Sequence, residues 1–394
     1  MRRIGVVSVA RSDYGIYRPL LRAIHGDAEV ELWLYVGGMH LAANFGLTIR
    51  EIEKDGYPIR ARVEMVGSDD TPSGVGKMVA RGLAGFAELF GRERPDVLLV
   101  LGDRTEMLAP AVAALPWRIP VAHLHGGEAS EGATDELVRH AITKLSHLHF
   151  PSLAVYADRI RQMGEDDWRI MVVGALSLDA LRDFTPTPLQ ELCRTHGWSF
   201  TEPPLVVTFH PATQELEDTP EQLGELLGAL ESCGRPLLFT APAADASGRL
   251  VLERIRRFVN SNSRAALVES LGQQGYFSLL ARAPAMVGNS SSGIIEAASF
   301  HLPVVNVGSR QDGRVRAGNV IDVECRRDSI ARAMQRALDP AFRRSVTSLP
   351  NPYGDGHAAE RILERLKTVA LDERLLRKRF VLGAPWGAGM PSTA

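Results

Sequence analysis

The sequence predicts an α/β protein made of two doubly wound domains in tandem. Short runs of aliphatic and β-branched residues recur from end to end, with amphipathic stretches between them and polar, Gly-rich breaks after many of the runs. The runs are continuous rather than alternating, which marks strands buried on both faces of a parallel sheet. A length of 394 residues suits two such domains.

In the first half, strands are expected at Ile4–Val9, Val30–Val36, Val97–Leu101, Val121–Leu124 and Ile170–Val173. Helical periodicity lies between them at Tyr14–Ile24, Val75–Phe90, Met107–Leu115 and Asp135–Leu145. Prolines 186, 188, 203 and 204 then flank a short polar helix pattern, the expected interdomain connection. A second series follows, with strands at Leu205–Phe209, Leu237–Thr240, Ala265–Val268, Ala285–Val287 and Val304–Val307. Its helices are Glu221–Leu230, Arg249–Asn260 and Gly293–Phe300. The expected division is 1–182 for the first domain, 183–204 for the connection and 205–350 for the second domain. Residues 351–394 are expected to form a C-terminal helix and a loosely packed tail, from about Arg374.

The bulk numbers exclude several classes. A formal charge of −2 gives no reason to expect nucleic acid or an anionic membrane as partner. No segment approaches the ~18–20 uninterrupted apolar residues of a membrane span. The opening MRRIGVVSVARSDYG reads as a first buried strand rather than a secretory leader. Three cysteines without a CxxC pair suit a reducing compartment, so the cytoplasm is expected. GxxxxGK[ST], a strand-associated GxGxxG and GxSxG are all missing, and no cofactor is expected.

Ligands of open parallel sheets bind beyond the carboxyl ends of the strands. Those ends carry the polar residues here, in both halves, which predicts two rims facing one cleft. Gly288-Asn289-Ser290-Ser291-Ser292-Gly293 joins a strand to a helix start, where free N–H groups and hydroxyls favour a phosphate. The alternative is that one serine merely caps the helix. Glu296, one turn on, is placed to accept from two ribose hydroxyls. His210, at a strand tip, is either structural or able to protonate a leaving oxygen or bind a phosphate. Asp103 is a general base or a helix cap. Arg11, Arg310 and Arg314 are diphosphate counter-ions or solvated arginines. His123, His125 and Glu128 invite a metal reading, but no third ligand has recognisable spacing, and no metal is expected.

Taken together, RSDYGIYRPLL, GDRTEM, HLHGGE, RHAITKLSHLHF, FHPAT, GNSSSGIIE and NVGSRQDGR, in this order, resemble the UDP-N-acetylglucosamine 2-epimerase family, most closely its hydrolysing branch. The resemblance covers about Arg3 to Leu366 and implies a GT-B-like fold of two Rossmann-type domains. It implies that Arg11, Ser290, Ser291 and Arg310 hold the diphosphate of a UDP-N-acetylhexosamine, Glu296 the ribose, and His210 the leaving side. Asp103 and Asp135 match acidic residues associated with catalysis, and His125 occupies a position where many relatives carry Glu. Many also carry Asn where this chain has Ala243. Those two departures leave the base and one sugar contact open. The chemistry implied is elimination of UDP through a 2-acetamidoglucal, then proton return on the opposite face of carbon 2 and addition of water. The alternatives are a non-hydrolysing epimerase, a GT-B glycosyltransferase and a non-catalytic UDP-sugar-binding protein. Relatives are commonly homodimers or homotetramers.

Overall fold

The computed structural model describes all residues except 68, 70, 131–134, 212–215, 243–245 and 383–394. They form two compact units: the described residues of 1–128, 137–176 and 357–382 in the first, and those of 129–136 and 177–356 in the second. The chain therefore leaves the first unit after Leu176, before the proline-flanked segment, and returns to it at His357.

The first unit is built on a six-stranded parallel sheet. Its strands are Arg2–Ser8 (β1), Val30–Gly37 (β2), Ile59–Val63 (β3), Val97–Leu101 (β4), Val121–Leu124 (β5) and Leu148–Phe150 (β6). Their spatial order is β3-β2-β1-β4-β5-β6. The continuous apolar runs work as expected: Ile4 and Val6 enter the core on one face, Val7 and Val9 on the other. In β4, Val97, Leu99 and Leu101 join the first cluster, and Leu98 and Val100 the second.

The second unit repeats the plan. Leu205–Thr208 (β7), Leu237–Thr240 (β8), Ala265–Val268 (β9), Met286–Gly288 (β10), Val304–Val307 (β11) and Val320–Val323 (β12) lie in the order β12-β11-β10-β7-β8-β9. Counted within each unit, both sheets run 3-2-1-4-5-6, the doubly wound order of dinucleotide-binding folds. Strand order therefore reverses between β1 and β4 in one sheet and between β7 and β10 in the other. Those two crevices are where such folds bind ligands.

One expectation needs correction. Ile170–Val173 is not a strand. Ile170 makes a single bridge to His149, and Met171 and Val173 donate to His149 O and Pro151 O at 2.9 and 3.1 Å. Pro151 has no N–H to return, so a ladder cannot grow there. The chain beyond Arg374 is anchored as far as Lys378, while Phe380 and Leu382 are exposed. Ala358, Ile362 and Leu366 of helix Ala358–Thr368, and then Leu375, are buried in the first unit's core. Buried Arg169 donates to the carbonyls of Leu375 and Arg374 at 2.8 and 2.7 Å. Lys378 reaches buried Glu165 at 2.9 Å, where Lys144 (2.5 Å) and His149 (3.1 Å) converge. Burial alone would raise the Glu165 carboxyl; these three partners more than reverse that and hold it at about 2. Residues 383–394 lie outside the described residues. Among the described residues, no helix is long and apolar enough to cross a membrane.

Candidate functional site

At the β1/β4 crevice the first unit assembles carboxylates and imidazoles. Asp103 follows β4 on Gly102, whose φ of +71° suits glycine. Its carboxylate does not cap the following turn, which has no side-chain cap. It is ion-paired instead to Arg139, on helix Asp135–Leu145, whose side chain is 1% exposed. The other guanidinium nitrogen of Arg139 donates to Glu128 O at 3.0 Å. A buried arginine thus ties the loop after β4 to the loop after β5.

His125 follows β5 in the left-handed region, with φ +61°. That backbone is uncommon for a residue with a Cβ, and such strain clusters at functional sites. Its Nδ1 donates to Glu128 Oε1 at 2.7 Å, and Ser152 Oγ donates to the same oxygen at 3.0 Å. The ring's Nε2 is buried with no hydrogen-bond partner. In the neutral ring, Nε2 then carries the lone pair and Glu128 fixes the tautomer, the arrangement of an oriented base. Gly127 permits the turn: with φ +75°, a Cβ there would lie 2.4 Å from Tyr156 O. His123 is committed elsewhere. It donates from Nε2 to Gly102 O at 2.7 Å and its Nδ1 lies 3.2 Å from Thr143 Oγ1.

Beside these groups, Arg104 pairs with buried Glu106 at 2.8 Å. Burial pushes the Asp13 carboxyl up to about 6, partly offset by the charge of Arg104. Arg11 is exposed at the start of helix Arg11–Gly26.

The β7/β10 crevice of the second unit has a different character. Gly288 allows β10 to press against β7; a Cβ there would lie 1.9 Å from Thr208 O. Ser290 does cap helix Ser291–Ile295, accepting from Ser292 N at 3.3 Å. Ser291 has no such task. Tyr276, which the sequence did not suggest, stands beside Ser292 and Ser290, and burial pushes its hydroxyl up. Glu296 accepts from Ser177 Oγ at 2.5 Å, so its carboxylate is held one turn from the serines. Arg310 Nη1 donates to Asn289 O at 3.0 Å. His210 stands at the tip of β7; burial, then the positive charge of Arg310, pushes its imidazole down to about 3.

The structure therefore gathers Asp103 and His125 at one crevice and His210, Ser290, Ser291, Glu296 and Arg310 at the other. Asp135 was expected with the first domain; it begins its helix within the segment counted with the second unit. Ala243 and the end of FHPAT, Ala212 and Thr213, lie outside the described residues. In the sequence alone, Glu128 stands out only as a metal ligand. Its three-residue spacing from His125 across two glycines was the signal for a hydrogen-bonded pair.

A family model described as UDP-N-acetylglucosamine 2-epimerase matches residues 22–367. The chain is 38% identical to the UDP-N,N'-diacetylbacillosamine 2-epimerase (hydrolyzing) of Legionella pneumophila, over 96% of this chain and 99% of that protein. It is 34% identical to the GDP/UDP-N,N'-diacetylbacillosamine 2-epimerase (hydrolyzing) of Campylobacter jejuni, with the same coverage of 96% and 99%. Its fold is similar to that of the UDP-GlcNAc 2-epimerase from Neisseria meningitidis bound to UDP-GlcNAc, with a TM-score of 0.79 at 16% identity over 93% of this chain and 99% of that one. The two Rossmann-like units are GT-B-like in architecture, and the chain belongs to the UDP-N-acetylglucosamine 2-epimerase family.

Proposed function

We propose that this chain is a hydrolysing 2-epimerase of UDP-activated 2-acetamido sugars. The hydrogen on carbon 2 is barely acidic, so direct inversion is slow, and elimination of UDP across carbons 1 and 2 is the accessible route. A base takes the carbon 2 proton while the carbon 1–oxygen bond breaks, leaving a 2-acetamidoglucal and UDP. Proton return to the opposite face of carbon 2 and addition of water at carbon 1 then give the free 2-epimer. Positioned acid–base groups contribute ~10²–10⁴-fold to such steps.

The observation that carries this reading is His125, strained at φ +61°, oriented by Glu128 and with Nε2 buried and unpartnered. A carboxylate is thus available behind the imidazole, which makes sense of a histidine where many relatives carry Glu. Asp103 and Asp135 are the further acid–base candidates. Ser290, Ser291, Arg310 and Arg11 hold the diphosphate and Glu296 the ribose. His210 is neutral at pH 7 in the free protein, given a value of about 3. The arriving diphosphate stabilises its protonated form and raises that value, so the leaving group itself prepares the donor.

The hydrolysing outcome is supported by two relatives above 30% identity that are named for it. Both are also named for a sugar with two N-acetyl groups, which makes a UDP sugar of that kind the second substrate to test. The test is proton NMR of UDP-N-acetylglucosamine, and in parallel the di-N-acetylated nucleotide, incubated with the protein in D₂O. The expected result is free UDP and a 2-epimer deuterated at carbon 2. Accumulation of an epimerised nucleotide sugar would mean the non-hydrolysing reaction. Acceptor-dependent UDP release without deuterium would mean a glycosyltransferase, and binding without turnover a non-catalytic protein. Residence in the cytoplasm and a homodimeric or homotetrameric assembly belong to the same proposal. Light scattering tests the assembly.

A further inference from the structure

Asn289 is bonded to residues of two neighbouring loops of the second crevice. It sits between β10 and the Ser290 cap and is 3% exposed. Its backbone N–H donates to Thr208 O at 3.0 Å, one rung beyond the Gly288–Thr208 pairing. Its side-chain amide then grips the backbone of His210, two residues past the end of β7, through both its N–H and its carbonyl. Oδ1 accepts from His210 N at 2.7 Å, and Nδ2 donates to His210 O at 2.8 Å. Its own carbonyl accepts from Arg310 Nη1 at 3.0 Å and from Gln311 Nε2 at 2.8 Å. Three loops, after β7, β10 and β11, therefore meet on this one residue.

We infer that Asn289 is a positioning residue that holds His210 and Arg310 in fixed register with the serine cap. The requirement is chemical, not only steric. The grip on His210 needs one donor and one acceptor on a planar group of this length, which among side chains of this size only a carboxamide supplies. Leucine has similar bulk and neither. Aspartate has the shape, but when ionised it turns an acceptor toward His210 O and sets a negative charge beside the diphosphate groups. When protonated, it regains a single O–H donor and with it most of the grip.

That difference makes the idea testable, and it rests on the UDP-sugar reading proposed above. Asn289→Leu and Asn289→Asp would be compared with the wild type for folding by circular dichroism and thermal melting, for kcat and KM of UDP release, and for UDP affinity by calorimetry. Asn289→Leu is expected to fold and to lose about tenfold or more in kcat, with a smaller rise in KM. Asn289→Asp is expected to lose as much at about pH 8 and to recover relative to the wild type toward about pH 5, as the buried carboxyl takes up its proton. Asn289→Leu keeping more than half of wild-type kcat, or Asn289→Asp following the wild-type pH profile at reduced rate, would overturn the inference. So would failure of both variants to fold, which would make Asn289 purely architectural. If only the leucine variant fails to fold, the pH profile of the aspartate variant decides. Should the wild type release no UDP from any UDP sugar, the function reading fails by itself. The His210 ring resonance in isotope-labelled protein still judges Asn289 then: its titration is expected to move toward an ordinary histidine in Asn289→Leu, and an unmoved titration contradicts the proposal.

Discussion

The two crevices are built on the same strand order and carry opposite chemistry. The tip of the first sheet brings together Asp103 paired to Arg139 and His125 bonded to Glu128, carboxylates beside a guanidinium and an imidazole. The tip of the second brings together hydroxyls, a guanidinium and a neutral imidazole around the short serine-capped turn, with Glu296 held by Ser177. Topology determines where a ligand can lie; the few residues after each strand determine what happens to it. On this account, the first sheet's tip performs the proton chemistry at carbon 2, and the second holds the nucleotide and protonates its departing oxygen.

The largest effect is expected from removing proton handling. Asp103→Asn and His125→Ala should each lower kcat for UDP release by ~10²–10⁴-fold with the fold intact. Either variant retaining more than about a tenth of the wild-type rate would remove that residue from the catalytic set. Glu128→Gln should lose less, about tenfold or more, because the imidazole remains while its tautomer and orientation are no longer enforced. Equal losses in Glu128→Gln and His125→Ala would place the essential base on the carboxylate itself.

At the second crevice, His210 should titrate at about 3 in the free protein, and its midpoint should rise when UDP binds. Histidine NMR without and with UDP measures this directly. A midpoint unmoved by UDP would separate His210 from the diphosphate.

The smallest expected effect lies away from both crevices. Glu165, held at about 2 against an ordinary value of 4.5, contributes stability that is complete above about pH 4.5 and is lost as the pH falls toward 2. Glu165→Gln should therefore cost about 1–2 kcal/mol near neutrality, allowing for screening by solvent, and should remove that part of the acid sensitivity. Its kcat should match the wild type. A large loss of activity would show that the anchored C-terminal segment matters to chemistry, which the comparison of crevices does not anticipate.

Much of this was legible in the sequence because it is local. Runs such as Val97–Leu101 and Leu205–Thr208 are buried on both faces, so their apolar character is unbroken. Three of the four edge strands were missed for the converse reason. Ile59–Val63 alternates with exposed Arg60 and Arg62, Leu148–Phe150 is three residues around a histidine, and Val320–Val323 is only partly buried. Strand-tip motifs pointed to His210, Ser290, Ser291 and Glu296 as candidates because polar residues there break the apolar pattern of the strands. The pairings that give those residues their orientation were hidden. Arg139 meets Asp103 across 36 positions and Asn289 meets His210 across 79, and no local pattern encodes a contact between distant loops. The C-terminal anchor was hidden likewise, since Lys378 finds Glu165 only after the chain has returned to the first unit.

The division of labour is tested most directly by calorimetric titration of UDP into the wild type, Asp103→Asn and Arg310→Ala side by side. The account predicts that Asp103→Asn binds UDP within about twofold of the wild type. It predicts that Arg310→Ala binds about 10–100-fold more weakly, the scale of a lost charge-assisted hydrogen bond. Unchanged affinity in Arg310→Ala, or a comparable loss in Asp103→Asn, would contradict it.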